Sequence, residues 1–134
     1  MEKNILIVED DSFLRDLISK KLSSAGFSIS EAVDGESGLK KIKEEKPDLI
    51  LLDLLLPSID GFEVLSKIKA DTDTSSIPII VLSNLGQKED VDRAIGLGAN
   101  DYLIKAQFTP EEIIIKVREI FNGITNPPPV KPQL

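Results

Sequence analysis

Five short apolar, β-branched runs recur along the chain: NILIV (4–8), FSISEA (27–32), DLILLD (48–53), IPIIVLS (77–83) and DYLIK (101–105). Longer segments with apolar residues at helical spacing separate them. Leu14, Leu17, Ile18, Leu22 and Ala25 form one stripe; Leu39 and Ile42 begin a second. Phe62, Leu65 and Ile68 make a third, Val91, Ile95 and Leu97 a looser fourth, and Ile113, Ile114, Val117, Ile120 and Phe121 a fifth. Thr109-Pro110-Glu111-Glu112 has the form of a capping box with proline at the first helical position. Gly26, Gly98 and Gly123 stand where helices should stop. Strand–helix alternation of this kind predicts parallel strands, and runs this continuously apolar predict a sheet covered on both faces. The expectation is an α/β fold, a five-stranded doubly wound sandwich with five helices over residues 1–123. The remaining segment, ITNPPPVKPQL (124–134), is Pro-rich and without apolar pattern, and reads as a tail or linker. Its PxxP match, Pro129 to Pro132, is read as linker too.

Composition narrows the chemistry. The 134 residues carry a formal net charge of −7, which argues against direct contact with nucleic acid or an anionic membrane. The chain has no Cys and no His. Thiolate and imidazole metal sites, disulfides and histidine catalysis are therefore excluded. A metal site here must be built from oxygen atoms, which favours Mg²⁺, Ca²⁺ or Mn²⁺. The start, MEKNILIVEDD, has too short an apolar run for a signal peptide, and no segment approaches membrane-spanning length. A cytoplasmic location is the expectation.

In open parallel sheets ligands bind at the carboxyl ends of the strands. The runs end in Glu9-Asp10-Asp11, Asp53, Ser83-Asn84 and Lys105. Taken singly, most of these have ordinary explanations. The acidic triplet could be a solvated turn, with Asp11 or Ser12 capping the next helix. Lys105 could be a surface lysine and Ser83 a strand-terminal hydroxyl. Asp53 is harder to dismiss, because aliphatic residues flank it in ILLDLLLP and an unpaired buried carboxylate costs several kcal/mol or more. Carboxylates from two strands, ionised together, need a compensating cation. Hard oxygen donors suit Mg²⁺, with Lys105 as a second partner for Asp53. A carboxylate so placed can attack phosphorus while the cations neutralise the phosphoryl oxygens.

With these residues in hand, the chain resembles the receiver domains of two-component response regulators. The resemblance covers about residues 3–122 and rests on ILIVEDD, DLILLDLLLPSIDG, PIIVLS and GANDYLIK in that order. It implies a flavodoxin-like sheet of order 2-1-3-4-5. It implies Asp53 as phosphoacceptor, Asp10 as direct Mg²⁺ ligand, Glu9 as ligand through water, and the Leu55 backbone carbonyl as a further ligand. Mn²⁺ is the alternative metal. Ser83 would bind the phosphoryl group and act with Tyr102 as the switch, the ring turning inward when Ser83 moves. Lys105 would pair with a phosphoryl oxygen. Pro57 and Gly61 match the turn after the acceptor strand.

Three departures stand out. Ala106 replaces the proline that usually follows the lysine. A cis bond there would cost about 2.5–4 kcal/mol without proline, so Lys105–Ala106 is expected trans, with the loop rerouted to keep Lys105 on Asp53. Asn84 follows Ser83 where a small residue is common. Leu55 and Leu85, two residues beyond Asp53 and Ser83, offer no polar group to orient a hydrolytic water.

The resemblance implies phosphorelay signalling rather than turnover. The phosphoryl donor would be a sensor histidine kinase or phosphotransfer protein. Output would pass through protein contacts on the fourth helix, fifth strand and fifth helix, which bear Arg93, Tyr102 and Lys116; on charge alone Arg93 and Lys116 read as solvated helix surface. The protein would be a monomer or a weak, phosphorylation-dependent dimer. Three rivals compete. An aspartate-nucleophile phosphatase usually needs a second acid where Leu55 stands. A flavodoxin needs a phosphate-cradling loop where this chain is acidic. A degenerate receiver, acting only as an unphosphorylated interaction module, conflicts with the full acidic set plus Asp53 and Lys105.

Overall fold

The computed structural model describes residues 2–123. The elements are β1 (Asn4–Val8), α1 (Ser12–Ser24), β2 (Ser28–Ala32), α2 (Gly35–Glu45), β3 (Leu49–Leu52), α3 (Gly61–Ala70), β4 (Ile79–Ser83), α4 (Lys88–Gly96), β5 (Asp101–Ile104), a 3₁₀ turn (Lys105–Gln107) and α5 (Pro110–Phe121). All strand pairs are parallel and the order is β2-β1-β3-β4-β5. The flavodoxin-like expectation holds in class, order and helix number. The expected Pro-rich tail lies outside the described residues.

Period-two alternation divides each strand between two cores. Leu6 and Val8, Ile50 and Leu52, Ile79 and Val81, and Tyr102 and Ile104 face α2, α3 and α4. Ile5 and Ile7, Leu49 and Leu51, Ile80 and Leu82, and Leu103 face α1 and α5. The continuously apolar strands are thus those buried on both faces, as helix-covered parallel strands must be. β2 is the exception: SISEA is half-buried along most of its length, whereas β5, the other edge strand, is buried throughout.

Two expected elements differ at their ends. β3 stops at Leu52, so Asp53 opens the loop rather than closing the strand. Lys105 begins the 3₁₀ turn instead of ending β5. Side chains set the helix starts: Asp11, Asp34, Asp60 and Thr109 each accept a hydrogen bond from an amide of the first turn they cap. Thr109 and Glu112 complete the capping box. Gly26, Gly98 and Gly123 have positive φ, as expected at helix ends.

The loop that follows β3 is closed by glycine. The Gly61 amide donates to the Leu54 carbonyl at 2.9 Å. A Cβ at Gly61 would lie 2.4 Å from both the Asp53 carbonyl oxygen and Leu54 Cα, backbone atoms that cannot swing away. Gly61→Ala is therefore expected to destabilise the domain by about 1–3 kcal/mol in urea unfolding. Gly96, at the end of α4, has nothing within 4 Å of a built Cβ. Gly96→Ala should be neutral or stabilising by up to about 1 kcal/mol in the same assay. Equal losses in both variants would contradict this account of the loop.

Candidate functional site

The five loops that follow the strands share one edge of the sheet, and the ends of β1, β3, β4 and β5 bring the acidic site together. The Glu9 amide donates to the Ala32 carbonyl at 3.0 Å and the Asp53 amide to the Val8 carbonyl at 3.1 Å, so ladder bonds fix both backbones just past their strands. Glu9 and Asp53 are 3% and 4% exposed; Asp10 between them in the cluster is exposed. Glu9, Asp10 and Asp53 each offer a carboxylate oxygen within 4.8 Å of the others.

Lys105 joins two of them. Its Nζ lies 2.8 Å from Asp53 Oδ2 and 2.6 Å from Glu9 Oε1. The Asp53–Lys105 pairing agrees with the sequence reading; the Glu9–Lys105 contact was not anticipated. Asp53 Oδ1 accepts from the Leu55 amide at 3.1 Å, and Glu9 Oε2 from the Asp11 amide at 3.0 Å. Burial disfavours the charged Lys105 ammonium, but hydrogen bonds to Asp53 and Glu9 outweigh it and raise the amine above its ordinary value. Burial likewise raises the Glu9 carboxyl, against the hydrogen bonds from Lys105 and the Asp11 amide, with the charge of Asp53 adding to the rise.

Asp11 is committed elsewhere. Its Oδ1 accepts from the Phe13 and Leu14 amides at 3.0 and 3.3 Å as the cap of α1. The acidic triplet thus splits: Glu9 and Asp10 face the site, and Asp11 starts the helix.

Ser83 is fully buried at the end of β4, and its Oγ accepts from the Leu85 amide at 3.3 Å. Tyr102 on β5 is fully buried, its hydroxyl donating to the Leu85 carbonyl at 2.5 Å. The ring therefore already occupies an inward position. That corrects the expected interaction face: Tyr102 contributes no exposed surface there. Arg93 lies 4.1 Å from the Phe62 ring centroid, and Lys116 pairs with Glu119 at 3.7 Å. Leu55 is 53% exposed at the mouth of the site, and Leu85 is partly buried against the core. Every peptide bond among the described residues is trans, Lys105–Ala106 included. The 3₁₀ turn supplies the rerouting that brings Lys105 to Asp53.

The donor set fits a hard divalent cation. Three carboxylates cluster and one ammonium pairs with two of them, leaving excess negative charge, and all donors are oxygen.

Comparison with known proteins agrees with this geometry. The family model for the response regulator receiver domain matches residues 5–118. The chain belongs to that family. A DNA-binding dual master transcriptional regulator, RpaA of a Synechocystis strain, is 42% identical over 116 residues, covering 87% of this chain and 48% of the relative. The chain thus spans about half the length of that curated relative. A putative response regulator from Chloroflexus aurantiacus has a crystal structure with TM-score 0.85 and 32% identity, covering 91% of this chain and 99% of that one. The Mn²⁺-bound form of response regulator Rcp1 superposes with TM-score 0.77 at 31% identity, covering 95% and 99%. Receiver domains work in two-component phosphorelay signalling with histidine kinases or phosphotransfer proteins, and they are not conventional turnover enzymes. No helix among the described residues is long and apolar enough to cross a membrane.

Burial pushes the Tyr102 phenol up from 10.0 to about 12, with the charges of Asp90 and Asp53 adding to the rise and the Ser83 hydrogen bond opposing it. The chain has one Tyr and no Trp, so tyrosinate absorbance reads this group alone. Its titration midpoint is expected near 12 in the folded protein and near 10.0 in denaturant. Because the unfolded chain releases the proton first, stability is fully present below pH 10.0 and falls as pH rises from there to about 12. A folded midpoint at the ordinary value would refute the buried position of the ring.

Proposed function

We propose that Asp53 accepts a phosphoryl group from a phospho-histidine donor and that its occupancy switches protein–protein contacts of this domain. The observation that carries the reading is the Lys105 ammonium 2.8 Å from a buried Asp53, beside the carboxylates of Glu9 and Asp10.

Glu9, Asp10, Asp53 and the Leu55 carbonyl would hold Mg²⁺, or Mn²⁺, which when bound neutralises phosphoryl oxygens and reduces carboxylate repulsion. The chain's own groups do the rest. An Asp53 carboxylate oxygen attacks phosphorus, the O–P bond forms, the P–N bond to the donor imidazole breaks, and the imidazole departs with the bonding pair. Leu55 N–H and Lys105 hold the two Asp53 oxygens apart, which orients the carboxylate before attack. Lys105 then pairs with a phosphoryl oxygen, and the Ser83 hydroxyl hydrogen-bonds to another. Ser83 shares Leu85 with Tyr102, so a change at Ser83 reaches the chain segment leading into α4. α4, β5 and α5 form the proposed contact face. A cytoplasmic setting suits a partner kinase of that compartment.

Intact mass after incubation with a small-molecule phosphodonor, with and without Mg²⁺, tests the reading. The wild-type chain should gain one phosphoryl group, dependent on Mg²⁺, labile in base. Asp53→Asn should gain none and remain folded, with a melting temperature equal to or above wild type in the absence of metal, because a repelling carboxylate is gone. Asp10→Ala should slow uptake and weaken Mg²⁺ binding much more than Asp11→Ala. Uptake by Asp53→Asn at the wild-type rate would refute the assignment of the acceptor.

Lifetime is the second expectation. Neither Leu55 nor Leu85 can hold an attacking water by a side-chain hydrogen bond. After donor removal in excess Mg²⁺, the phosphorylated protein should decay slowly. The double variant Leu55→Asn, Leu85→Glu should decay several-fold faster. A decay unchanged or slower in that variant would contradict the water-positioning argument.

A further inference from the structure

Arg15 is placed against the usual preference of a helix. It is the fourth residue of α1, close to the N-terminal end, where the helix dipole disfavours cations. An arginine there would ordinarily extend into solvent. Instead its side chain is only 14% exposed. Nη1 donates to the backbone carbonyl of Glu9 at 2.8 Å. Nε is buried without a hydrogen-bond partner and lies 3.8 Å from Glu31 Oε1 on β2. Glu31 is itself fixed: its Oε2 accepts from the Ser19 hydroxyl and its carbonyl from Lys41 Nζ, both at 2.5 Å. The guanidinium therefore bridges the end of β1 to a fastened carboxylate on the edge strand.

The bridge completes the restraint of one residue. The Glu9 amide is held by Ala32, Oε1 by Lys105, Oε2 by the Asp11 amide, and the carbonyl by Arg15. The Arg15 bond is the one that acts on the Glu9–Asp10 peptide plane. Rotation of that plane moves the Asp10 Cα and hence its exposed carboxylate. We propose that Arg15 is a positioning residue for the acidic cluster: through the Glu9 carbonyl it sets the direction of Asp10 toward Asp53. The inference rests on the metal-binding reading of this cluster.

Two physical effects of Arg15 have opposite signs, which makes the role testable. As a bare positive charge near three carboxylates it would oppose a divalent cation, and its loss would tighten Mg²⁺ binding. As a positioning group its loss would weaken Mg²⁺ binding, by roughly tenfold or more for a group that orients metal ligands. The experiment is calorimetric titration of the donor-free protein with Mg²⁺, for wild type and for Arg15→Met, Arg15→Gln and Arg15→Lys. The expected result is weakening by roughly tenfold in Arg15→Met with partial recovery in Arg15→Lys, which keeps a donor. Unchanged or tighter binding in Arg15→Met and Arg15→Gln would overturn the proposal.

Lys69→Met separates positioning from general loss of stability. Lys69 Nζ clamps the Ser75 and Ile77 carbonyls, both at 3.0 Å, at the opposite edge of the sheet. That variant should lower the melting temperature and leave Mg²⁺ affinity unchanged. If it weakens Mg²⁺ as much as Arg15→Met for the same loss in melting temperature, the Arg15 effect is global and the proposal fails. A metal-free readout distinguishes this inference from the reading beneath it. Arg15→Met should speed amide hydrogen exchange at Asp11, whose N–H is protected by Glu9 Oε2. Absence of Mg²⁺ binding by the wild type would refute the metal reading, whereas unchanged exchange at Asp11 in Arg15→Met would refute the role of Arg15.

Discussion

One ammonium group ties the ends of three strands together. Lys105 leaves β5 and reaches both Glu9 at the end of β1 and Asp53 at the end of β3. Each of those carboxylates is almost fully buried, and each alone would be strongly destabilising. Two unit charges at the 4.8 Å limit of the cluster repel by roughly 3 kcal/mol at an effective dielectric of about 20. Lys105 offsets that repulsion for the buried pair and leaves the exposed Asp10 uncompensated. The site is therefore stable as it stands and still short of positive charge. A divalent cation would supply the missing positive charge.

The surrounding loops are organised to keep that arrangement in place. Asp11, Asp34 and Asp60 cap helices that begin at the same edge of the sheet, so three further carboxylates are neutralised by helix amides rather than added to the cluster. Gly61 allows α3 to start directly against the backbone of Asp53 and Leu54. Asp53 thus stands between a ladder bond from its own amide to Val8 and a helix start that admits no side chain. An edge this acidic remains folded because nearly every carboxylate there has a designated donor.

Much of this was legible in the sequence. Doubly buried strands leave uninterrupted apolar runs, caps leave Asp or Thr ahead of helical spacing, and an aspartate inside ILLDLLLP has no structural excuse. Strand order came from the family resemblance, since periodicity alone does not say which strands are neighbours. Two features escaped. The Glu9–Lys105 pair escaped because the residue types are explained without it, Glu9 as a water-mediated ligand and Lys105 as the partner of Asp53. Arg15 escaped because it sits in a helical segment where charge reads as solvated surface. Its position near the helix start, the unfavourable end for a cation, was the signal available. The state of Tyr102 was not legible at all: the same residue can stand inside or outside, and only packing against α4 decides it.

Stability is distributed unevenly, and the distribution follows the proposed signal. α1, α2, α3 and α5 each begin with a side-chain cap, whereas α4 begins after Gln87 with no side-chain hydrogen bond. α4 is nine residues long, well below the length at which a helix holds by itself, so it depends on burying Val91 and Ala94. Immediately before it, Leu85 donates its amide to Ser83 and accepts the Tyr102 hydroxyl at its carbonyl. In the proposed mechanism Ser83 is the group that answers a phosphoryl group on Asp53. Drawing its hydroxyl toward that group takes an acceptor from the Leu85 amide and unsettles the position that Tyr102 holds from the other side. The disturbance then falls on the helix with the fewest restraints of its own. A strongly capped α4 would resist it; on the proposed reading, an uncapped one would turn a hydrogen-bond exchange at the site into a shift of the α4 surface.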